Sequence, residues 1–110
     1  MACGLSRLMV LGTVIAATGC APSASSGTFE SDNPASRLYA IHRAGLDADA
    51  SAVVPLVEQL ESDDPAIRMM AINALERITG TRLGYNPYAD RTERREAIDR
   101  WTEAVRKGQI

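Results

Sequence analysis

Few side chains in this chain are equipped for chemistry, and most of those have a simpler job. His42 is the single histidine. An imidazole works as a base or metal ligand only when a carboxylate, thiol or second imidazole is placed to orient it, and no motif puts one beside His42. It reads as a structural residue on or just under a helix surface. The acidic pair Asp63-Asp64 has the composition of acid/base equipment. With Pro65 behind it, however, the pair is also how a helix begins, a carboxylate accepting from free backbone N–H groups. No glycine-rich phosphate loop is present, so the sequence predicts neither an enzyme nor a cofactor. What remains is the chemistry of recognition. "GTRLGYNPYAD", from Gly80 to Asp90, gathers Arg82, Tyr85 and Tyr88 around Gly84 and Pro87, with Trp101 about three helical turns further on. Arginine and aromatics are the usual anchors of protein contacts. The same rings can instead close a small core over Trp101, and both readings stand on sequence alone.

Charge narrows the partners. Twelve Lys+Arg against 14 Asp+Glu give a formal charge of -2 over 110 residues, too little positive field to condense on nucleic acid phosphates. Hydrophobic residues make up 45% and aromatics 5%, which suits one small domain built from helix-forming aliphatics.

The first twenty residues, "MACGLSRLMVLGTVIAATGC", place Arg7 before an apolar run from Leu8 to Ala17 and small residues before Cys20. That is the layout of a secretory signal. Its ending, "ATGC", is similar to the bacterial lipobox, with Ala17 where Leu is usual. The resemblance implies that residues 1–19 are a lipoprotein signal peptide and that Cys20 becomes the first residue, carrying a diacylglycerol thioether and an acylated amine. The alternative is an ordinary signal peptide cut nearby, with Cys20 an unpaired thiol; cysteine arithmetic favours lipidation, because Cys3 lies in the part removed and Cys20 has no disulfide partner in an oxidising compartment. Two or three acyl chains make membrane attachment durable. The expectation is a protein of the bacterial cell envelope, lipid-anchored and facing the periplasm or exterior. Residues 20–32, rich in Ser, Ala, Pro and Gly, read as its tether.

Four helices are expected in residues 33–110, at roughly 33–45, 50–61, 64–79 and 90–107. Asn33-Pro34 and Asp64-Pro65 are the same start signal, a capping side chain followed by proline at the first helical position. Asp90 with Glu93 is a capping-box pattern. Gly45 and Gly80 read as stops. Pro55 falls inside the second helix and should bend it or delay its start. Ile67, Met70, Ala71, Ala74, Leu75 and Ile78 follow helical spacing, and Met69 and Ile72 widen that surface, so the third helix should lie between neighbours. The last helix shows a narrow stripe of Ile98, Trp101 and Val105 with charge elsewhere.

Two of these segments repeat each other. "ESDNPASRLYAI" from Glu30 and "ESDDPAIRMMAI" from Glu61 agree at eight of twelve positions, 31 residues apart, and "RREAI" from Arg94 echoes "RLYAI" and "RMMAI". Over "VVPLVEQLESDDPAIRMMAINALERI" the chain resembles the HEAT repeat family, in its short bacterial form. The resemblance implies an all-α stack of helical hairpins in which turn aspartates and helix arginines form a ladder: Arg37 with Asp63 or Asp64, and Arg68 with a group near Asp90. Such a unit cannot cover both apolar faces alone, so stacking makes the core continuous. The first unit lacks a leading helix, and "TGTRLGYNPYA" stands where the third unit's would be.

The function expected is a membrane-anchored interaction or scaffold module for a protein partner. Its candidate contacts are Arg82, Tyr85, Tyr88, Trp101, Leu38 and Tyr39, and self-association through the first helix is a further expectation. The alternative is a non-catalytic accessory to cofactor or enzyme assembly, since some HEAT-like proteins handle bilins.

Overall fold

The computed structural model describes residues 28–110; the expected signal segment, Cys20 and the tether as far as residue 27 lie outside them. Four α-helices form, α1 (Pro34–Leu46), α2 (Val53–Gln59), α3 (Pro65–Thr79) and α4 (Arg91–Arg106), and among the described residues there is no strand.

The start signals act as their chemistry dictates. Asn33 Oδ1 accepts from Ala35 N at 3.0 Å and Asp64 Oδ1 from Ala66 N at 2.8 Å, each with proline behind it. Asp90 Oδ1 accepts from Glu93 N at 2.9 Å. Each bond satisfies one of the donors that a helix start leaves free. Pro55 delays α2 rather than bending it. Residues Ala50–Ala52 form a 3-10 turn capped by Asp49, and the α-helix begins at Val53. Pro55 therefore sits in the first α-helical turn, where a missing N–H breaks no helical bond.

Gly80 ends α3 in the left-handed conformation, φ 81°, with its N–H on the Glu76 carbonyl. Gly45, expected as the equivalent stop of α1, has a different role. The helix continues through Leu46, and Ala48 is the residue that turns left-handed, φ 47°. Gly45 is buried against α3, where a Cβ would lie 3.1 Å from both Cα and Cβ of Ala74. It is a glycine because two helix backbones pass there, not because the chain turns.

The repeat is a stack. α3 packs against both α1 and α2, and α4 packs against α2. Gly45 meets Ala74 at one end, while Arg37 shares a cleft with Ser62, Asp63 and Asp64 at the other, so α1 and α3 run side by side in the same direction. Their offset is close to the 31-residue repeat. Ala40, Ala71 and Ala97 are all buried, and so are Ile41, Ile72 and Ile98, the Ala-Ile pairs of the three repeated phrases. Covering an isoleucine contributes about 1.5–3 kcal/mol, so the doubled wording marks the positions that hold the stack together.

The outer flank of α1 is not a copy of the α3 flank it resembles. Where α3 presents Met70 and Ala74 to α1, the positions 31 earlier are Tyr39 and Arg43, and Arg43 pairs with Asp47 at 3.4 Å. Phe29, within the expected tether, packs on the core beside this flank, and its carbonyl accepts from Gln59 Nε2 at 3.2 Å. The one large apolar residue in a polar segment thus covers part of an edge that a preceding helix would otherwise cover.

Candidate functional site

The turn between α2 and α3 is where the repeated arginines meet. Arg68 Nη1 donates to the carbonyls of Ser62 (2.9 Å) and Asp63 (3.0 Å), and its Nε donates to the carbonyl of Pro87 (3.1 Å). One guanidinium therefore ties the turn before its own helix to the loop after it. The expected ladder of carboxylates is not what forms. Arg68 does reach the chain near Asp90, but through the main-chain carbonyl of Pro87 rather than a carboxylate. Arg37 shares a cleft with Asp63 and Asp64 but ion-pairs with neither, and its Nε is buried without a partner. The physical reason is prior engagement and exposure. Asp64 is occupied by the Ala66 N–H, and Asp63, 93% exposed, pairs loosely with Arg91 at 3.4 Å.

The segment between α3 and α4 is irregular yet closely held. Tyr85 is 3% exposed and donates to the Leu60 carbonyl at 2.7 Å. Trp101 Nε1 donates to the Arg82 carbonyl at 3.0 Å, and Arg100 Nε to the Leu83 carbonyl at 2.8 Å. Leu83 and Gly84 are both left-handed, φ 47° and 74°, which turns the chain back over α4. Burial pushes the Tyr85 phenol above its ordinary range, although the positive charges of Arg68 and Arg94 pull the other way. A bound loop thus occupies the place of a leading helix and supplies its apolar cover through Tyr85 and Pro87.

The expected contact residues separate into three locations. Tyr85 and Trp101 are covered by the chain's own atoms and belong to the core, Trp101 fully so. Arg82 and Tyr88 each lie along the exposed side of α3. Arg82 Nε donates to Glu76 Oε2 and its Nη2 to Asn73 Oδ1, both at 2.7 Å, while the Tyr88 hydroxyl meets Met69 Sδ at 3.1 Å. Tyr88 is 74% exposed. Tyr39 lies apart, on the outer flank of α1 beside Phe29, and Leu38 is half-buried against the core.

Met69 and Ile72, which helical spacing places together on the covered side of α3, differ. Ile72 is fully buried, but Met69 remains 36% exposed, its sulfur beside the Tyr88 hydroxyl. With Asn73 and Glu76 it completes the surface around Arg82 and Tyr88. The signal for these three residues was available, since they stand three or four apart on one helix face.

His42 is exposed on α1 and lines a shallow groove with Met70, Asn73 and Arg77. Among the described residues no group of three or more His, Cys, Asp or Glu is arranged to hold a metal ion. At its far end α4 carries a compact ion cluster. Arg106 grips Glu103 through two bonds, 2.6 and 3.0 Å, with Lys107 at 3.2 Å, and these donors hold the Glu103 carboxyl below its ordinary range.

Parallel helices in a 31-residue register, one helical hairpin complete and the next begun by a loop, define an all-α helical-repeat protein of the short hairpin-stack type. The chain belongs to the HEAT repeats family, whose model matches residues 22–100. Such repeats generally mediate protein–protein interaction and are typically non-catalytic. No curated protein and no solved structure matches the chain.

Proposed function

We propose that the protein is a bacterial envelope lipoprotein, held to the membrane by lipid on Cys20, that displays a HEAT-like surface to a protein partner without chemistry of its own. The observation that carries the interaction half is the surface formed by Tyr88, Met69, Arg82, Asn73 and Glu76. An exposed tyrosine and an arginine are fixed there by a loop whose main chain is bonded to α3 and α4 and whose Tyr85 is bonded to the end of α2. A side chain already held in place has little entropy left to lose when a partner arrives, which is the property of a contact anchor.

The anchoring half rests on the resemblance of "ATGC" to a lipobox. Among the described residues no helix is long and apolar enough to cross a membrane, and in this reading attachment is the work of the acyl chains.

Two measurements test the halves separately. Mass spectrometry of membrane extracts should find Cys20 as an acylated first residue, and Cys20→Ser should release the protein to the soluble fraction; an unmodified Cys20 removes the anchor. A photocrosslinker at position 88 in intact cells should capture a discrete protein, with one at exposed Glu96 as control. Equal capture from both positions removes the Tyr88 surface.

A further inference from the structure

The first turn of α4 carries Arg91, Arg94 and Arg95, and all three line one cleft of about 120 Å³ together with Ile98, Glu61 and Asp63. We propose that this cleft docks an acidic, extended segment of the partner protein, its carboxylates and main-chain carbonyls taken by Arg94 and Arg95 with Arg91 beside them. The inference rests on the interaction reading above and gives the partner a chemistry.

Three observations carry it. First, three guanidinium groups face two carboxylates, and the single ion pair between them is loose: Arg91 to Asp63 at 3.4 Å, with side chains 78% and 93% exposed. A pair so exposed contributes little, so an incoming carboxylate displaces Asp63 at small cost. Second, Arg94 Nε is buried without a hydrogen-bond partner. Arg94 itself is half-exposed, and a guanidinium has only donors, so those that Tyr85 does not take are open to an acceptor from outside. Third, the molecule shows what this repeat position binds when acceptors are supplied. Arg68, at the same place in "RMMAI", holds three main-chain carbonyls, two from the turn before its helix and one from the irregular chain that follows. Arg94, at that place in "RREAI", lines the cleft from the α4 side while its guanidinium also reaches toward the Tyr85 hydroxyl behind it. The occupant is therefore extended backbone, and the local excess of arginine makes it an acidic one.

The test uses the full chain in detergent and a fluorescein-labelled peptide of alternating Glu and Ser, followed by anisotropy. Saturable binding is expected, weakening with added salt, and absent for the peptide with Lys in place of Glu. Arg94→Gln and Arg95→Gln should each weaken it about tenfold, the loss of one charge-assisted contact. Arg106→Gln, at the other end of α4, should leave it unchanged. Circular dichroism checks each fold, and exposed Arg95 carries the comparison if Arg94→Gln melts the domain. Lack of saturation, equal weakening by Arg106→Gln, or inorganic phosphate binding these arginines while the peptide does not would each overturn the proposal. If peptide binding is absent but crosslinks from position 88 persist in the Arg94→Gln/Arg95→Gln double variant, the cleft assignment fails and the interaction reading stands.

Discussion

The same arginine occurs in three repeated phrases, yet the structure gives the three copies unequal work, and that inequality can be measured. Arg68→Gln removes hydrogen bonds of 2.9, 3.0 and 3.1 Å to the carbonyls of Ser62, Asp63 and Pro87. A bond from a charged donor contributes about 1.5–3 kcal/mol. Arg68 is only half-buried and two of the bonds share one nitrogen, so about 1 kcal/mol each is the appropriate figure, or about 2–3 kcal/mol together. For a domain of this size that lowers Tm by about 10–20 °C. Arg37→Gln breaks no hydrogen bond among the described residues and should change stability by less than about 0.5 kcal/mol. Arg94→Gln removes a guanidinium that faces the Tyr85 hydroxyl and holds no main-chain carbonyl, so it should cost less than Arg68→Gln, and Arg68→Lys, which keeps the charge without the fork, should recover only part of the loss. Urea titration followed by far-ultraviolet circular dichroism reads all four, with the midpoint moving and the slope constant. Equal losses at the three repeat positions, or a neutral Arg68→Gln, would refute the reasoning that carbonyl capture rather than charge makes Arg68 matter.

Other expectations follow from single contacts. Tyr85→Phe leaves the Leu60 carbonyl without its 2.7 Å donor and should cost about 1–2 kcal/mol in the same titration. Because the folded-state pKa of Tyr85 is raised, folding binds its proton more tightly than the unfolded chain does. Its contribution is complete below the ordinary phenol range near ~10 and is lost as pH rises through the raised value. Tyr85→Phe should abolish that alkaline loss, and absorbance at the phenolate band should lose its late-titrating step. Gly45→Val raises helix propensity in a free peptide but puts side-chain atoms into Ala74, so stability should fall by about 1–3 kcal/mol; an unchanged or raised Tm would mean that α1 and α3 are not in contact there.

Elements with a period or a cap were legible in the sequence. Asn33, Asp64, Asp90 and Gly80 announce their ends because a capping side chain or a left-handed glycine has one evident local use, and the Ala-Ile pairs announce the buried side because helical spacing repeats it. What escaped has no local signature. Gly45 has the same letter whether it ends a helix or lets one pass close to another; only the presence of Ala74 opposite decides. The acceptors of Arg68 are main-chain oxygens, which every residue has, so no residue type marks them. In the loop from Gly80 to Asp90 no periodicity tells one tyrosine from the next, and the choice of Tyr85 for the core and Tyr88 for the surface is made by the left-handed turn at Leu83 and Gly84. Phe29 has polar neighbours that read as tether, and only the uncovered edge of α1 beside it gives the ring a place to pack.

The central claim is that the repeated phrase encodes two helices lying side by side in register, α1 against α3. Nuclear Overhauser spectroscopy on the folded chain measures this at the closest point of approach. The account predicts a strong cross-peak between the α protons of Gly45 and the methyl group of Ala74, which a Cβ on Gly45 would approach to 3.1 Å. Absence of that cross-peak, with Gly45 contacting solvent or another helix instead, would contradict it.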